Sequence, residues 1–158
     1  MNTQSRSEIS IRPATLDDVD ALTALSYKTI RKKYPDVIGS DAVEGYIASG
    51  EVPKYYRERN AFLWVAERAG EPVGAVAIKD NEIHLMMVTV EHHRQGIGKA
   101  LLTLGEELLF ARYDTIELES FRDNFQAVNF YKTQGWSPVS EYPMPDVGIP
   151  MVRMRKQR

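Results

Sequence analysis

The chain has 158 residues, 43% hydrophobic and 27% charged, and its 20 basic and 22 acidic side chains leave a net charge of −2. That balance belongs to a globular protein; it excludes a fibre, a disordered tail and a strongly basic nucleic-acid binder. There is no cysteine, so disulfides, thiolate metal sites and a cysteine nucleophile are excluded together, and the composition fits a reducing compartment.

Residues 1–158 read as one domain, with residues 1–7 a flexible lead. Met1 to Ser7 is polar with no apolar segment behind it, which is not a signal peptide, and no apolar run approaches the ~18 residues of a membrane span. The expectation is a soluble, cytoplasmic protein without a membrane or nucleic-acid partner. The basic residues Arg153, Arg155, Lys156 and Arg158 read as a solvated C-terminal end.

In chain order, Glu8 to Pro13 alternates around Ile9 and Ile11 and predicts a first strand. Thr15 and Asp18 form an N-cap pattern for a helix through Leu16, Val19, Leu22, Leu25 and Ile30, closed at Pro35. Ser40 caps a second helix through Val43, Tyr46 and Ile47 to Gly50, and Pro53 starts a short third one carrying Tyr55 and Tyr56. Phe62 to Arg68 and Val73 to Lys79 flank the turn Ala69-Gly70-Glu71-Pro72, and Asp80-Asn81 leads into Glu82 to Val90, an antiparallel meander. A helical stripe follows: Ile97, Leu101, Leu104, Leu108 and Ala111 share one face. Thr115 to Ser120 is a strand, Asn124 to Gln134 a helix stopped by Gly135, and Trp136 to Tyr142 with Met151 to Arg155 a last pair around a Pro- and Gly-containing loop. The order predicts an α/β fold, a mixed and mostly antiparallel sheet of about seven strands flanked by helices. The helical crossover from Glu82–Val90 to Thr115–Ser120 makes those two strands parallel neighbours.

The most informative stretch is Val88 to Leu101, a strand end, a loop, and Gly96-Ile97-Gly98 opening the long helix. Glycines let backbone approach an anion, and first-turn N–H groups without intrahelical partners, together with the helix dipole, attract phosphate. Arg94 and Lys99 add cations beside it. A P-loop is excluded because His93 and Ala100 stand where Gly and Ser/Thr are required. A dinucleotide fingerprint fails as well, since its third glycine would fall at Leu101.

These residues resemble the GNAT acetyltransferases, whose [Arg/Gln]-x-x-Gly-x-[Gly/Ala] turn is matched by His93-Arg94-Gln95-Gly96-Ile97-Gly98, with His93 at the first position. Ile11-Arg12-Pro13-Ala14-Thr15 and the run from Asn124 through Ala127, Phe130, Tyr131 and Gly135 to Trp136 are similar to further family motifs. The resemblance implies a single-domain GNAT fold with a parallel strand pair splayed at the cofactor site, and an acetyl-CoA-dependent N-acetyltransferase acting on a primary amine. It assigns the pantetheine arm to the main chain of Met86, Met87 and Val88, with the Val88 N–H polarising the thioester carbonyl. The pyrophosphate falls to Arg94, Gln95, Gly96, Ile97, Gly98 and Lys99. Asn124 corresponds to a cofactor-contacting residue that also reads as an N-cap, and Tyr131 to the tyrosine that protonates the departing thiolate.

For the base that must deprotonate the acceptor ammonium, Glu82, His84 and Glu119 compete, and alternation puts Glu82 and His84 on one face of their strand with Met86 and Val88. His84, His92 and His93 lack the spacing of a metal site. The missing cysteine fits direct attack within a ternary complex, since an acyl-cysteine intermediate is excluded. In the family the acceptor lies against the regions that here are Tyr27 to Tyr56 and Tyr142 to Pro150. The run from Tyr27 through Lys28, Arg31, Lys32 and Lys33 to Tyr34 either attracts an acidic acceptor or is a solvated helix face. A small-molecule amine or amino acid is the first acceptor expectation. Protein or peptide amines, a non-catalytic acyl-CoA-binding module and a homodimer remain alternatives.

Overall fold

The computed structural model describes residues 8–90 and 96–158. The lead expected at residues 1–7, together with Arg94 and Gln95 of the glycine turn, lies outside the described residues. Strand β1 (Ser10–Pro13) is followed by a 3-10 turn at Leu16–Asp18 and by helices α1 (Val19–Lys33), α2 (Pro35–Ile38), α3 (Ser40–Ala48) and α4 (Glu51–Glu58). Then come β2 (Leu63–Arg68), β3 (Glu71–Lys79), β4 (Glu82–Val88), α5 (Ile97–Phe110), β5 (Thr115–Phe121), α6 (Phe125–Thr133), β6 (Ser137–Pro143) and β7 (Pro150–Gln157). The strands form one seven-stranded sheet in the order β1-β2-β3-β4-β5-β7-β6. Among the described residues only the β4–β5 pair is parallel, joined through α5 as the crossover requires.

The predicted Thr15–Asp18 capping box forms, but it caps the 3-10 turn Leu16–Asp18, and α1 itself starts only at Val19, with no side-chain cap bond from Asp18. Asp18 also takes two hydrogen bonds from Arg12, at 2.8 and 2.9 Å, and Arg12 reaches Glu67 at 2.9 Å, tying β1, the turn and β2 together. Pro35 does more than close α1, since it opens α2 from the first helical position, where a missing N–H breaks no helix bond. Gly39, with φ 91°, rather than Ser40 precedes α3, and α4 begins at Glu51, which puts Pro53 inside its first turn.

Two apolar layers sandwich the sheet. On one face α5 and α6 bury Ile97, Leu101, Leu109, Val128 and Tyr131 against Val76, Ile83, Ile116, Leu118 and Met154. On the other, α1, α3 and α4 bury Leu22, Ile30, Val43, Val52 and Tyr56 against Val65, Ala75 and Met87. Each fully buried aliphatic side chain contributes roughly 1.5–3 kcal/mol. Helix α5 sits close to the sheet because position 105 is glycine: a Cβ there would stand 2.5 Å from Ile83 Cδ1.

Two further expectations are corrected. Strict alternation along β4 fails because Leu85 pairs with Ala77 but Ile83 pairs with Ile78, which leaves His84 as the extra residue of a bulge. Ile83 therefore shares the α5 face with Met86 and Val88, while Leu85 and Met87 belong to the opposite layer. His84 turns with that opposite layer, toward Tyr55 of α4. The C-terminal basic run is only in part the solvated end expected: Arg155 and Arg158 are exposed, but the run is a paired strand and not a free tail. It lies in β7, where Val152 and Met154 are buried, Arg153 and Arg155 pair with Glu117, and Lys156 pairs with Glu106.

Candidate functional site

Strands β4 and β5 pair at Glu82 with Glu117 and at Ile83 with Leu118 and then diverge. The Thr89 N–H donates to the Val73 carbonyl at 3.0 Å, so by antiparallel alternation the peptide groups of Val88 and Met86 point away from β3 and into the divergence. A cleft of about 420 Å³ runs there. Its floor is Met86, Met87 and Val88, one wall is Asn124, Phe130 and Tyr131, and Gly96, Gly98 and Lys99 stand at one end.

Gly96 has φ 82°, a left-handed conformation that favours glycine, and a Cβ there would meet nothing within 4 Å. Its conformation lets the chain turn from loop to helix, leaving the first-turn amides of α5 without intrahelical partners at the cleft. Gly98 lies flat against the floor: a Cβ would sit 3.6 Å from Phe130, 3.8 Å from Val88 and 3.9 Å from Met86. The side chain of Ile97 is in the core, only 1% exposed, so that residue can offer the cleft nothing but its backbone.

Asn124 caps α6 through its side chain, accepting from the Ala127 N–H at 3.4 Å, and lines the cleft from that position. Tyr131 is buried against Phe130 and Trp136, with ring centroids 5.5 and 6.3 Å away. Burial pushes its hydroxyl above the usual phenol range, which keeps the proton on the oxygen.

The end of α1 roofs the cleft, a contribution with no local sequence signal. Thr29, Lys33 and Tyr34 line it from above. Tyr34 packs edge-on against Phe121 at 5.3 Å, and the Lys33 ammonium donates to the side-chain carbonyl of Gln126 at the start of α6. The other basic residues of α1 go elsewhere: Arg31 pairs with Glu44 at 3.1 Å, and Lys28 and Lys32 border a separate groove with Tyr27.

The three candidate bases stand on the sheet face opposite α5 rather than in the cleft lining. Glu82 accepts from Arg153 at 2.9 Å, and that guanidinium also reaches Glu117 at 3.0 Å and Glu119 at 3.4 Å. Glu119 further accepts from the Tyr142 hydroxyl. His84 is held differently, with Nδ1 2.8 Å from the Tyr55 hydroxyl and the two rings stacked at 5.6 Å. Partial burial lowers the His84 pKa and favours neutral imidazole. Among the described residues no group of three or more His, Asp or Glu could hold a metal ion, and no helix is long and apolar enough to cross a membrane.

Compared with known proteins, residues 22–158 match the family model described as an acetyltransferase (GNAT) domain. The chain belongs to the GNAT acetyltransferases. It is 31% identical over 102 residues to the Escherichia coli peptidyl-lysine N-acetyltransferase YiaC, a match covering 60% of this chain and 67% of that one. Its match to the rat N-acetyltransferase family 8 member 2, at 29% identity over 105 residues, covers 58% of this chain and 46% of that protein. The GNAT fold is found almost whole in a protein from Rhodopseudomonas palustris, with a TM-score of 0.83 at 19% identity over 94% of this chain and 95% of the other. The PaiA N-acetyltransferase of Thermoplasma acidophilum, solved in complex with coenzyme A, superposes with a TM-score of 0.76 at 18% identity over 96% and 99% of the two chains. The GNAT domain therefore supplies an N-acetyltransferase, and the sheet of seven strands with one parallel pair is as its motifs imply.

Proposed function

We propose that this GNAT protein transfers the acetyl group of acetyl-CoA to a primary amine by direct attack in a ternary complex. The observation that carries the reading is the cleft itself. It joins a left-handed Gly96 at the α5 N-terminus, strand peptide groups pointing between β4 and β5, and a buried, protonated Tyr131. This arrangement fits a long, thin ligand with an anionic head and an amide-bearing arm.

Bound there, acetyl-CoA would supply an activated thioester. The first-turn amides of α5 and Lys99 hold the pyrophosphate, and the main chain of Met86 to Val88 aligns the arm. The Val88 N–H faces the carbonyl oxygen, where a fixed donor is worth roughly 3–4 kcal/mol as negative charge develops. Tyr131 gives its proton to the sulfur leaving group. His84 receives the ammonium proton, directly or through water: its ring is kept neutral, whereas the Glu82 carboxylate is committed to Arg153. With Nδ1–H donating to the Tyr55 oxygen, Nε2 carries the lone pair that does this work.

A small amine or amino acid is the first acceptor class. A peptide lysine is the second, favoured by the 31% identity to a peptidyl-lysine N-acetyltransferase. Calorimetric titration with acetyl-CoA and CoA, followed by thiol-release assays over small amines, amino acids and lysine peptides, tests both levels. Micromolar binding with amine-dependent thiol release supports the transferase and identifies the acceptor class. Absence of acetyl-CoA binding would overturn the reading.

A further inference from the structure

Lys33 is the last residue of α1, half-buried, with its ammonium bonded across to α6. It turns across the cleft to Gln126 of α6, over the floor formed by Met86, Met87 and Val88 and beside Tyr34 and Tyr131. An amine held in the cleft that we assign to a thioester is a nucleophile placed beside an acyl donor, and such proximity replaces a bimolecular encounter.

We propose that Lys33 is a self-modification site, acetylated at Nζ by the chain's own acetyl-CoA when no external amine occupies the acceptor position. This rests on the acetyl-CoA reading of the cleft. Burial lowers the Lys33 pKa, which raises the share of neutral amine able to attack. The step balances without another reagent. The Nζ lone pair forms the N–C bond, the C–S bond breaks, and the departing thiolate takes the proton that the nitrogen sheds. The products are acetyl-lysine and CoA. The modified side chain loses its charge and places an amide in the roof of the cleft, so turnover on external amines slows in proportion to the modified fraction.

The full chain is incubated with isotopically labelled acetyl-CoA and no amine, and labelled peptides are quantified over time by mass spectrometry. Lys28 and Lys32 lie on the same helix but border the separate groove, so they report plain chemical acylation. The expected result is labelling of Lys33 at least about tenfold faster than either, suppressed by excess CoA and lost in Lys33→Arg. Acetyl-CoA binding in calorimetry with Lys33 labelled no faster than Lys28 and Lys32 would overturn self-acetylation while sparing the transferase. No binding would overturn both.

Discussion

The Tyr55 hydroxyl stands 2.8 Å from Nδ1 of His84, with the two rings nearly parallel at 13°. The contact joins α4 to the one bulged residue of β4, so the imidazole is oriented by a helix of the layer opposite α5. If His84 is the base, His84→Gln lowers kcat/KM about 10²-fold, and more than Glu82→Gln does. Because burial depresses the His84 pKa, the acid limb of the pH–rate profile lies below the ordinary imidazole value of ~6.5. Tyr55→Phe removes the oxygen that accepts from the imidazolium and moves that limb lower still. Steady-state rates from acid to neutral pH check all three; a limb unmoved by Tyr55→Phe would contradict the positioning role.

Tyr131→Phe keeps the ring packed against Phe130 and Trp136 and removes only the hydroxyl. The expected result is kcat lower by about 10² or more with little change in acetyl-CoA affinity, the pattern of a lost proton donor. Single-turnover kinetics beside calorimetry separate the two quantities.

The glycine turn makes a paired prediction. At Gly96 an alanine would meet no atom within 4 Å, yet φ 82° costs an L-residue about 1–2 kcal/mol. Gly96→Ala therefore lowers the melting temperature and weakens acetyl-CoA binding, and Gly96→Asn recovers part of both. Gly98→Ala makes only ordinary contacts, 3.6 Å at the nearest, and is tolerated. Thermal melts with and without acetyl-CoA compare the three variants.

Arg12, followed by the Thr15 backbone, holds the Asp18 carboxyl below the usual carboxylate range against an opposing effect of burial. A folded pKa below the unfolded one means stabilisation that is complete above ~4 and lost as pH falls through the folded value. Asp18→Asn accordingly costs about 2 kcal/mol at neutral pH, and the difference from wild type shrinks toward zero in strong acid. Urea midpoints across that range measure it.

What the sequence revealed was what is local. The Gly96-Ile97-Gly98 turn, the Thr15–Asp18 capping box and the Asn124 cap each join residues within one turn, so their chemistry is written in adjacent letters. The roof and the surroundings of His84 are not. Lys33 meets Gln126 across 93 positions, Arg153 meets Glu82 across 71, and Tyr55 meets His84 across 29. The bulge at His84 is invisible to alternation because it is defined by the opposing strand, which pairs Ile78 with Ile83 and Ala77 with Leu85. The same limit hid the fate of Arg153 and Arg155: their charges suggested solvent, and the glutamates that hold them come from the neighbouring β5 and from Glu82 of β4.

The short parallel pairing between β4 and β5 divides the sheet into a four-stranded piece and a three-stranded piece joined by a seam of two residue pairs. Helix α5 packs across both pieces, but the backbone ladder itself is thinnest there. A ligand that bonds β4 on one side and α6 on the other acts as a stitch across the seam. Part of its binding energy therefore goes into coupling the two pieces, so amide protons at Met86 and Val88 exchange more slowly and the domain unfolds more cooperatively once the stitch is in place. With acetyl-CoA bound as proposed, recognition of the donor and mechanical unity of the sheet would be one property.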